Sequence, residues 1–288
     1  MPGTRVRPEA SPSVNLAPGI HVFDAKGRGM DFGIKGRKAI VCASSRGLGY
    51  GCALALAREG VEVVLNGRDA ALLEQAAGEI AKATGAKVIP VAADVATPEG
   101  QKALFAACPE PDILINNNAG PPMRDFRELT RAQILDGVTA NMVVAIELIQ
   151  KAIDPMVAKK FGRIVNITSG GVKMPLAGLD LSSGARAGLT AFLAGVARSV
   201  AASNVTINFL LPGTFETDRL RANIEGNAKQ QNISFEQARA NRIATVPAKR
   251  FGSTEEFGAA CAFLCAAQSG YITGQNILID GGVFPAAF

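Results

Sequence analysis

The residues with the most definite chemistry lie in a glycine-rich turn, Cys42-Ala43-Ser44-Ser45-Arg46-Gly47-Leu48-Gly49, set between a short apolar run and an alanine-rich stretch. Glycines at 47 and 49 let backbone approach a phosphate and let a helix pack closely on a strand, while the unpaired N–H groups at the helix start attract the anion. A turn of this kind carries weight because of its setting, between a strand and a helix at the head of a long alternating pattern. A second candidate follows at Val64-Leu65-Asn66-Gly67-Arg68. It offers no acid to accept from a ribose hydroxyl; it offers Gly67 and a guanidinium instead. Arg68 and Arg46 are suited to clasp a phosphate through charge-assisted bonds, although arginines after a strand are also common solvated surface residues.

The pattern around these residues is regular from Gly36 onward. Short apolar runs at Lys38 to Ala43, Val61 to Asn66, Lys87 to Ala93, Asp112 to Asn116, Arg163 to Thr168, Asn204 to Leu210 and Gln275 to Asp280 read as seven strands. Between them, helical patterns cover Gly47 to Glu59, Asp69 to Thr84, 98 to 107, Thr130 to Lys159, Ser182 to Ala202 and Thr254 to Ala267, with an irregular helical insertion over 214–243. Strands alternating with helices predict a single doubly wound α/β domain over residues 30–288, a parallel sheet with helices on both faces. Leu220, Ile224 and Ile233 in the insertion predict an apolar cover over the ligand crevice.

Composition excludes several classes. Of 288 residues, 48% are hydrophobic and 19% charged, which describes a packed domain and not a disordered chain. The net charge of +5 is spread out, so no nucleic-acid surface is expected. No apolar run nears the roughly 20 residues of a membrane span. The five cysteines, Cys42, Cys52, Cys108, Cys261 and Cys265, form no Cys-x-x-Cys pair and read as buried apolar side chains in a reducing, cytoplasmic setting. With His21 as the sole histidine, neither a metal site nor a serine-histidine triad is expected. Residues 1–29 are rich in Pro, Gly, Ser and Arg and predict a loose tail without catalytic role.

Further motifs occur in a set order: Asn117-Asn118-Ala119-Gly120, Asn141, Ile164-Val165-Asn166-Ile167-Thr168-Ser169, Pro212-Gly213-Thr214-Phe215-Glu216-Thr217 and Ile279-Asp280-Gly281-Gly282. Together with the glycine turn, they resemble the short-chain dehydrogenase/reductase superfamily, especially its 3-oxoacyl-carrier-protein reductase branch, over residues 34 to 284. The resemblance implies strand order 3-2-1-4-5-6-7 and a nicotinamide cofactor held by Ala43, Ser45, Arg46, Gly47, Leu48, Gly49, Gly67, Arg68, Asp94, Val95, Asn118, Ala119, Gly120, Pro212, Gly213, Phe215, Thr217 and Arg186. The arginines and the missing acid favour NADP over NAD. Ala43 stands where the family has glycine. Alanine suits that turn only if its dihedrals are not left-handed, so either a shifted local geometry or a methyl crowding the cofactor is expected.

The resemblance also assigns a polarising serine to Ser169 and a relay asparagine to Asn141. The family's tyrosine lies thirteen residues after that serine and its lysine four further on; here these positions hold Ser182 and Arg186. Tyr50 and Tyr271, the only tyrosines, are far from that spacing. An aliphatic hydroxyl is a far weaker acid than a phenol near pKa 10. Arginine keeps its charge, so it can bind ribose hydroxyls and stabilise an alkoxide but not relay a proton. Lys173, Asp180, a water ordered by Ser182 or the substrate itself are alternative proton sources. The leading expectation is an atypical NADP-dependent oxidoreductase interconverting a carbonyl and an alcohol. The alternatives are a catalytically degenerate nucleotide-binding sensor or partner subunit, and a lyase or isomerase. Small residues Ala185, Gly188, Ala191 and Gly195 predict a helix face suited to a homotetramer or homodimer.

Overall fold

The computed structural model describes residues 31–287; the expected tail at 1–29 lies outside them. Seven strands form one parallel sheet in the order β3-β2-β1-β4-β5-β6-β7, with β1 at Lys38–Val41, β2 at Glu62–Gly67, β3 at Val88–Ala92, β4 at Ile113–Asn116, β5 at Gly162–Ile167, β6 at Val205–Pro212 and β7 at Asn276–Ile279. The expected order is therefore the observed one. Alternate residues of one strand serve opposite layers. Ala39 and Val41 join the core that contains Cys52, Leu56, Phe257 and Leu264, whereas Ile40 and Cys42 join the core that contains Leu148, Ile149, Leu189 and Leu193. Burial on both faces explains why the strands read as unbroken apolar runs.

The first layer is built by α1 (Gly47–Arg58), α2 (Ala70–Thr84) and α9 (Thr254–Cys265); α3 (Pro98–Ala107), α5 (Val144–Lys159) and α6 (Asp180–Val200) cover the other face. Glycines let α1 and α9 cross at contact distance. A Cβ on Gly51 would stand 2.2 Å from the Thr254 carbonyl oxygen, and one on Gly258 would stand 2.2 Å from that of Gly51.

Three elements differ from the sequence reading. The expected helix from Thr130 to Lys159 is α4 (Arg131–Val138), a π-type turn at Thr139–Val143 and then α5. By length and composition the stretch Arg131–Lys159 passes as a membrane span, which corrects the expectation that no run comes close. Here it packs Val144, Leu148, Ile149, Ala152 and Met156 against the sheet. Second, α6 begins at Asp180, two residues early, with the acid in its first turn where the helix dipole favours it. Third, the insertion contains two helices, α7 (Asp218–Gln231) and α8 (Phe235–Ala244). Ile224, Ala228, Ala238 and Phe251 form its own small core, with Leu220 and Ile233 packed against it. The apolar residues expected to cover a substrate thus close largely on one another.

Candidate active site

The carboxyl edge of the sheet gathers the chemistry, and asparagines hold it together. Asn66, at the end of β2, donates to Val91 and Ala93 carbonyls at 3.3 and 2.9 Å and accepts from the Ala43 N–H at 3.4 Å. Three consecutive asparagines at the end of β4 reach three different elements. Asn116 donates to Asn166 Oδ1 at 2.9 Å, Asn117 to the Ala43 carbonyl at 3.2 Å, and Asn118 to the Ala140 carbonyl in the π-type turn at 3.0 Å. Asn66 and Asn117 thereby pin both ends of the Ala43 residue. Ala43 has φ +46°, so the turn keeps left-handed geometry with an alanine in it. Of the two expected outcomes, a shifted local geometry is not found, which leaves the methyl facing the cofactor side as the alternative; an over-determined setting tolerates a cost of about 1–2 kcal/mol.

The start of α1 is open to an anion. Arg46 is its N-cap in extended conformation, no side chain caps the helix, and no acid lies in its first turn. Gly47 adopts φ +63°, and a Cβ there would stand 3.7 Å from Thr217 Cγ2, so the glycine turn faces the segment after β6. Gly49 serves packing, since its Cβ would stand 2.3 Å from the Ala43 carbonyl oxygen. Leu48 packs against the α1 layer core. Ser45 lies beside Gly67, its hydroxyl 3.4 Å from where a Cβ on that glycine would stand. Arg68 is exposed at the same edge. Arg46 makes an exposed ion pair with Asp218 at 3.5 Å, linking the glycine turn to the start of α7.

Some residues predicted to contact the cofactor have side chains that also serve the fold. Val95 is buried in the α5-α6 layer, and Asp94 already accepts from the Ala96 N–H at 2.9 Å. The Phe215 ring is buried edge-on against Phe257 at 5.2 Å and belongs to the core. Pro212 ends β6, and Gly213 passes so close to Asp280 that a Cβ would stand 2.6 Å from its Cα. Ala119 and Gly120 line a cleft of about 260 Å³ that also involves Pro121, Pro122, Leu129, Asn141 and Leu181.

At the centre lies Arg186, 8% exposed. Its Nε and Nη2 donate to Asn141 Oδ1 at 3.2 and 3.0 Å, Nη2 to the Asn118 carbonyl at 3.4 Å, and Nη1 to the Thr168 carbonyl. All acceptors are neutral. Burial, and then the Arg219 cation nearby, lower its pKa to about 10, so it remains charged at neutral pH. Asn141 sits within the π-type turn and donates to the Gly137 carbonyl at 3.0 Å. Beneath Arg186 is a void of about 30 Å³ lined by Asn116, Asn117, Asn118, Asn141 and Asn166, enough for a single water. Asn116 Oδ1, which lacks a partner, belongs to one of these residues.

Ser169 begins the turn after β5, its Oγ accepting from the Gly171 N–H at 3.0 Å. The hydroxyl beside it is that of Ser183: a Cβ on Gly171 would stand 2.9 Å from Ser183 Oγ and 3.2 Å from Ser169 Oγ. Ser182 lies one turn before Arg186 on α6 and shares its face, half-buried. Lys173 lies over the Phe284 ring at 5.7 Å, and Asp180 accepts from the Gly178 N–H at 3.1 Å, so each has its own structural partner. Sequence reasoning missed Asn66, Asn117, Ser183 and Arg219. The run of asparagines was a visible signal for the second; the others depend on contacts between distant segments.

A seven-stranded doubly wound sheet with an open helix N-terminus after β1 and a buried cation, asparagine and serine at the next crevice defines a dinucleotide-binding oxidoreductase fold. The sequence pattern of the enoyl-(acyl carrier protein) reductase family matches residues 42–284, and the chain belongs to this family within the short-chain dehydrogenase/reductase superfamily. It is 34% identical to the NADPH-dependent reductase BacG of Bacillus subtilis, over 85% of this chain and 97% of the relative. It is 31% identical to the 3-oxoacyl-[acyl-carrier-protein] reductase FabG of Vibrio cholerae, over 87% of this chain and 98% of that protein. Among solved structures, the L-sorbose reductase of Gluconobacter frateurii, complexed with NADPH and L-sorbose, is 28% identical and superposes with a TM-score of 0.85 over 89% of this chain and 100% of that one.

Proposed function

We propose that this protein is an NADP-dependent reductase that converts a carbonyl group to an alcohol, or the reverse, without a tyrosine acid. The observation that carries the reading is Arg186: a buried guanidinium at the family's lysine position, held by Asn141, Asn118 and Thr168 and beside the residues that would line the nicotinamide half of a cofactor. The residues present fit NADP. The uncapped N-terminus of α1 suits a pyrophosphate, and Ser45 beside Gly67, Arg46 and Arg68, with a glycine and not an acid ending β2, suit a 2′-phosphate. The NADPH named for BacG and for the sorbose reductase agrees with that reading.

When bound, the cofactor supplies hydride. Ser169 directs its hydroxyl at the substrate oxygen and polarises it. Arg186, with one N–H left for a ribose hydroxyl, places a fixed positive charge where negative charge develops on that oxygen, in a buried setting. The proton comes to the oxygen from a water ordered by Ser182, since a serine is not itself a strong enough acid. Losing a tuned general acid costs about 10²–10⁴ in rate, so slow turnover is expected.

The replacement of the family's tyrosine and lysine by Ser182 and Arg186 also supports a second reading, a nucleotide-binding protein that has given up chemistry. Fluorescence titration with NADPH and NADH, followed by an assay of NADPH oxidation with acetoacetyl-coenzyme A and simple ketones, separates them. Tight NADPH binding with measurable turnover supports the reductase; binding without turnover on any carbonyl supports the second reading. Tighter NADH than NADPH binding removes the cofactor assignment. Exposed Ile134, Leu135, Val143 and Phe192 on α4 to α6, with Ala191 and Gly195, support a homodimer or homotetramer. Light scattering at micromolar concentration would give a monomer mass if that is wrong.

A further inference from the structure

Two cations converge on Gly120. A Cβ there would stand 3.3 Å from Arg186 Nη2 and 3.5 and 3.6 Å from Arg219 Nη2 and Nη1. Arg219 is the second residue of α7 and exposed, whereas Arg186 is buried. Neither takes part in the ion pairs found among the described residues. Two like charges beside one glycine, one of them desolvated, repel each other unless an anion lies between them. The missing side chain at Gly120 leaves that space open, and Gly120 also lines the 260 Å³ cleft.

We propose that the substrate is a small oxo acid whose carboxylate is held at Gly120 by Arg219, with Arg186 behind it. The proposal rests on the reductase reading above and adds the substrate's chemical class. Arg186 already uses four of its five N–H groups on neutral oxygens, so it contributes mainly its fixed field. Arg219 has its planar fork available for a bidentate contact. The same cleft also carries Arg124 and Asp136, whose opposite charges offset one another, so the unopposed positive charge is the pair beside Gly120. That places the acid group at the Gly120 end, with the rest of the substrate against Pro121, Pro122, Leu129 and Leu181. The cofactor's own phosphates are the competing anion, and the test separates them.

Calorimetric titration of acetoacetate and of methyl acetoacetate into the NADP-saturated protein reads binding without requiring turnover. The wild type is expected to bind the acid more tightly than the ester, and Arg219→Ala to weaken the acid about tenfold or more while leaving ester and NADPH affinity unchanged. Arg219→Lys, which keeps the charge but loses the fork, should fall between. Because Arg219 is exposed, an unchanged melting temperature will show that the variants fold. The proposal is overturned if the wild type does not prefer the acid, if acid and ester change together, or if Arg219→Ala instead weakens NADPH, which would assign the anion to the cofactor. Failure of all carbonyls to oxidise NADPH would remove the reductase reading while leaving this binding preference readable.

Discussion

Nε and Nη2 of Arg186 both donate to Oδ1 of Asn141, at 3.2 and 3.0 Å, so one amide oxygen on the π-type turn carries much of the burden of holding a buried cation. The link joins α4-α5 to α6, and with the Asn118 and Thr168 carbonyls it fixes the guanidinium from three elements.

Asn141→Ala leaves two guanidinium N–H groups without that acceptor and should destabilise the fold by about 1.5–3 kcal/mol. Asn141→Asp places a countercharge beside Arg186, so it should keep most of the stability while lowering turnover by neutralising the field at the substrate oxygen. Chemical denaturation with parallel steady-state rates checks both. If Asn141→Ala is as stable as wild type, Asn141 is not what holds Arg186.

Ala43 gives a prediction of opposite sign. With φ +46°, replacing it by glycine relieves about 1–2 kcal/mol of left-handed strain and costs about 0.4–1 kcal/mol in unfolded-chain entropy. Ala43→Gly should therefore raise the urea midpoint slightly at constant m-value, a net gain of roughly 0.5–1 kcal/mol. A lower midpoint would show that the methyl makes contacts that outweigh its backbone.

Arg46 and Arg68 should separate the two nicotinamide cofactors. Each Arg→Ala change is expected to weaken NADPH about tenfold with little effect on NADH. Arg46 must exchange Asp218, 3.5 Å away, for the phosphate, so Asp218→Asn should tighten NADPH. Equal losses for both cofactors would place these arginines away from a 2′-phosphate.

All five cysteines are buried, and burial pushes the Cys42 thiol up to about 12 and raises those of Cys108 and Cys265, while Cys261, lowered by its hydrogen bond with Cys265, is raised overall by one with Cys52 and by burial. Below the ordinary value of 9.0 the thiols are protonated in both states. Between that value and about 12 the unfolded chain releases protons that the folded chain keeps, so stability falls as pH rises through this window. Native protein at pH 8 should take up no iodoacetamide, and urea-unfolded protein should take up five adducts per chain, as read by mass spectrometry. A native adduct on Cys42 would contradict its enclosure.

The fold was legible because each local signal agreed with the next. Thr130 and Gln133 form a reciprocal cap where the helix was expected to start, and Ser253 and Glu256 do the same for α9. Apolar runs without alternation pointed to strands buried on both faces. The π-type turn was hidden because Thr139–Val143 continues the helical pattern of its neighbours, and the turn carries the Asn141 that accepts from Arg186. Val95 and Phe215 belonged to the expected site by position, yet their side chains serve the core, a distinction that spacing does not carry. Arg219 could not be singled out in a polar helix; only folding brings it to Gly120.

The most direct test of an arginine-centred reductase is a single turnover of enzyme-bound NADPH carrying deuterium at the transferring carbon, with acetoacetate or acetoacetyl-coenzyme A, in wild type and in the Ser182→Tyr/Arg186→Lys double variant. Deuterium appearing in the alcohol product of the wild type, at a slow but saturable rate, is the predicted result. Wild type that binds NADPH yet transfers no deuterium, while the double variant does, would contradict the account.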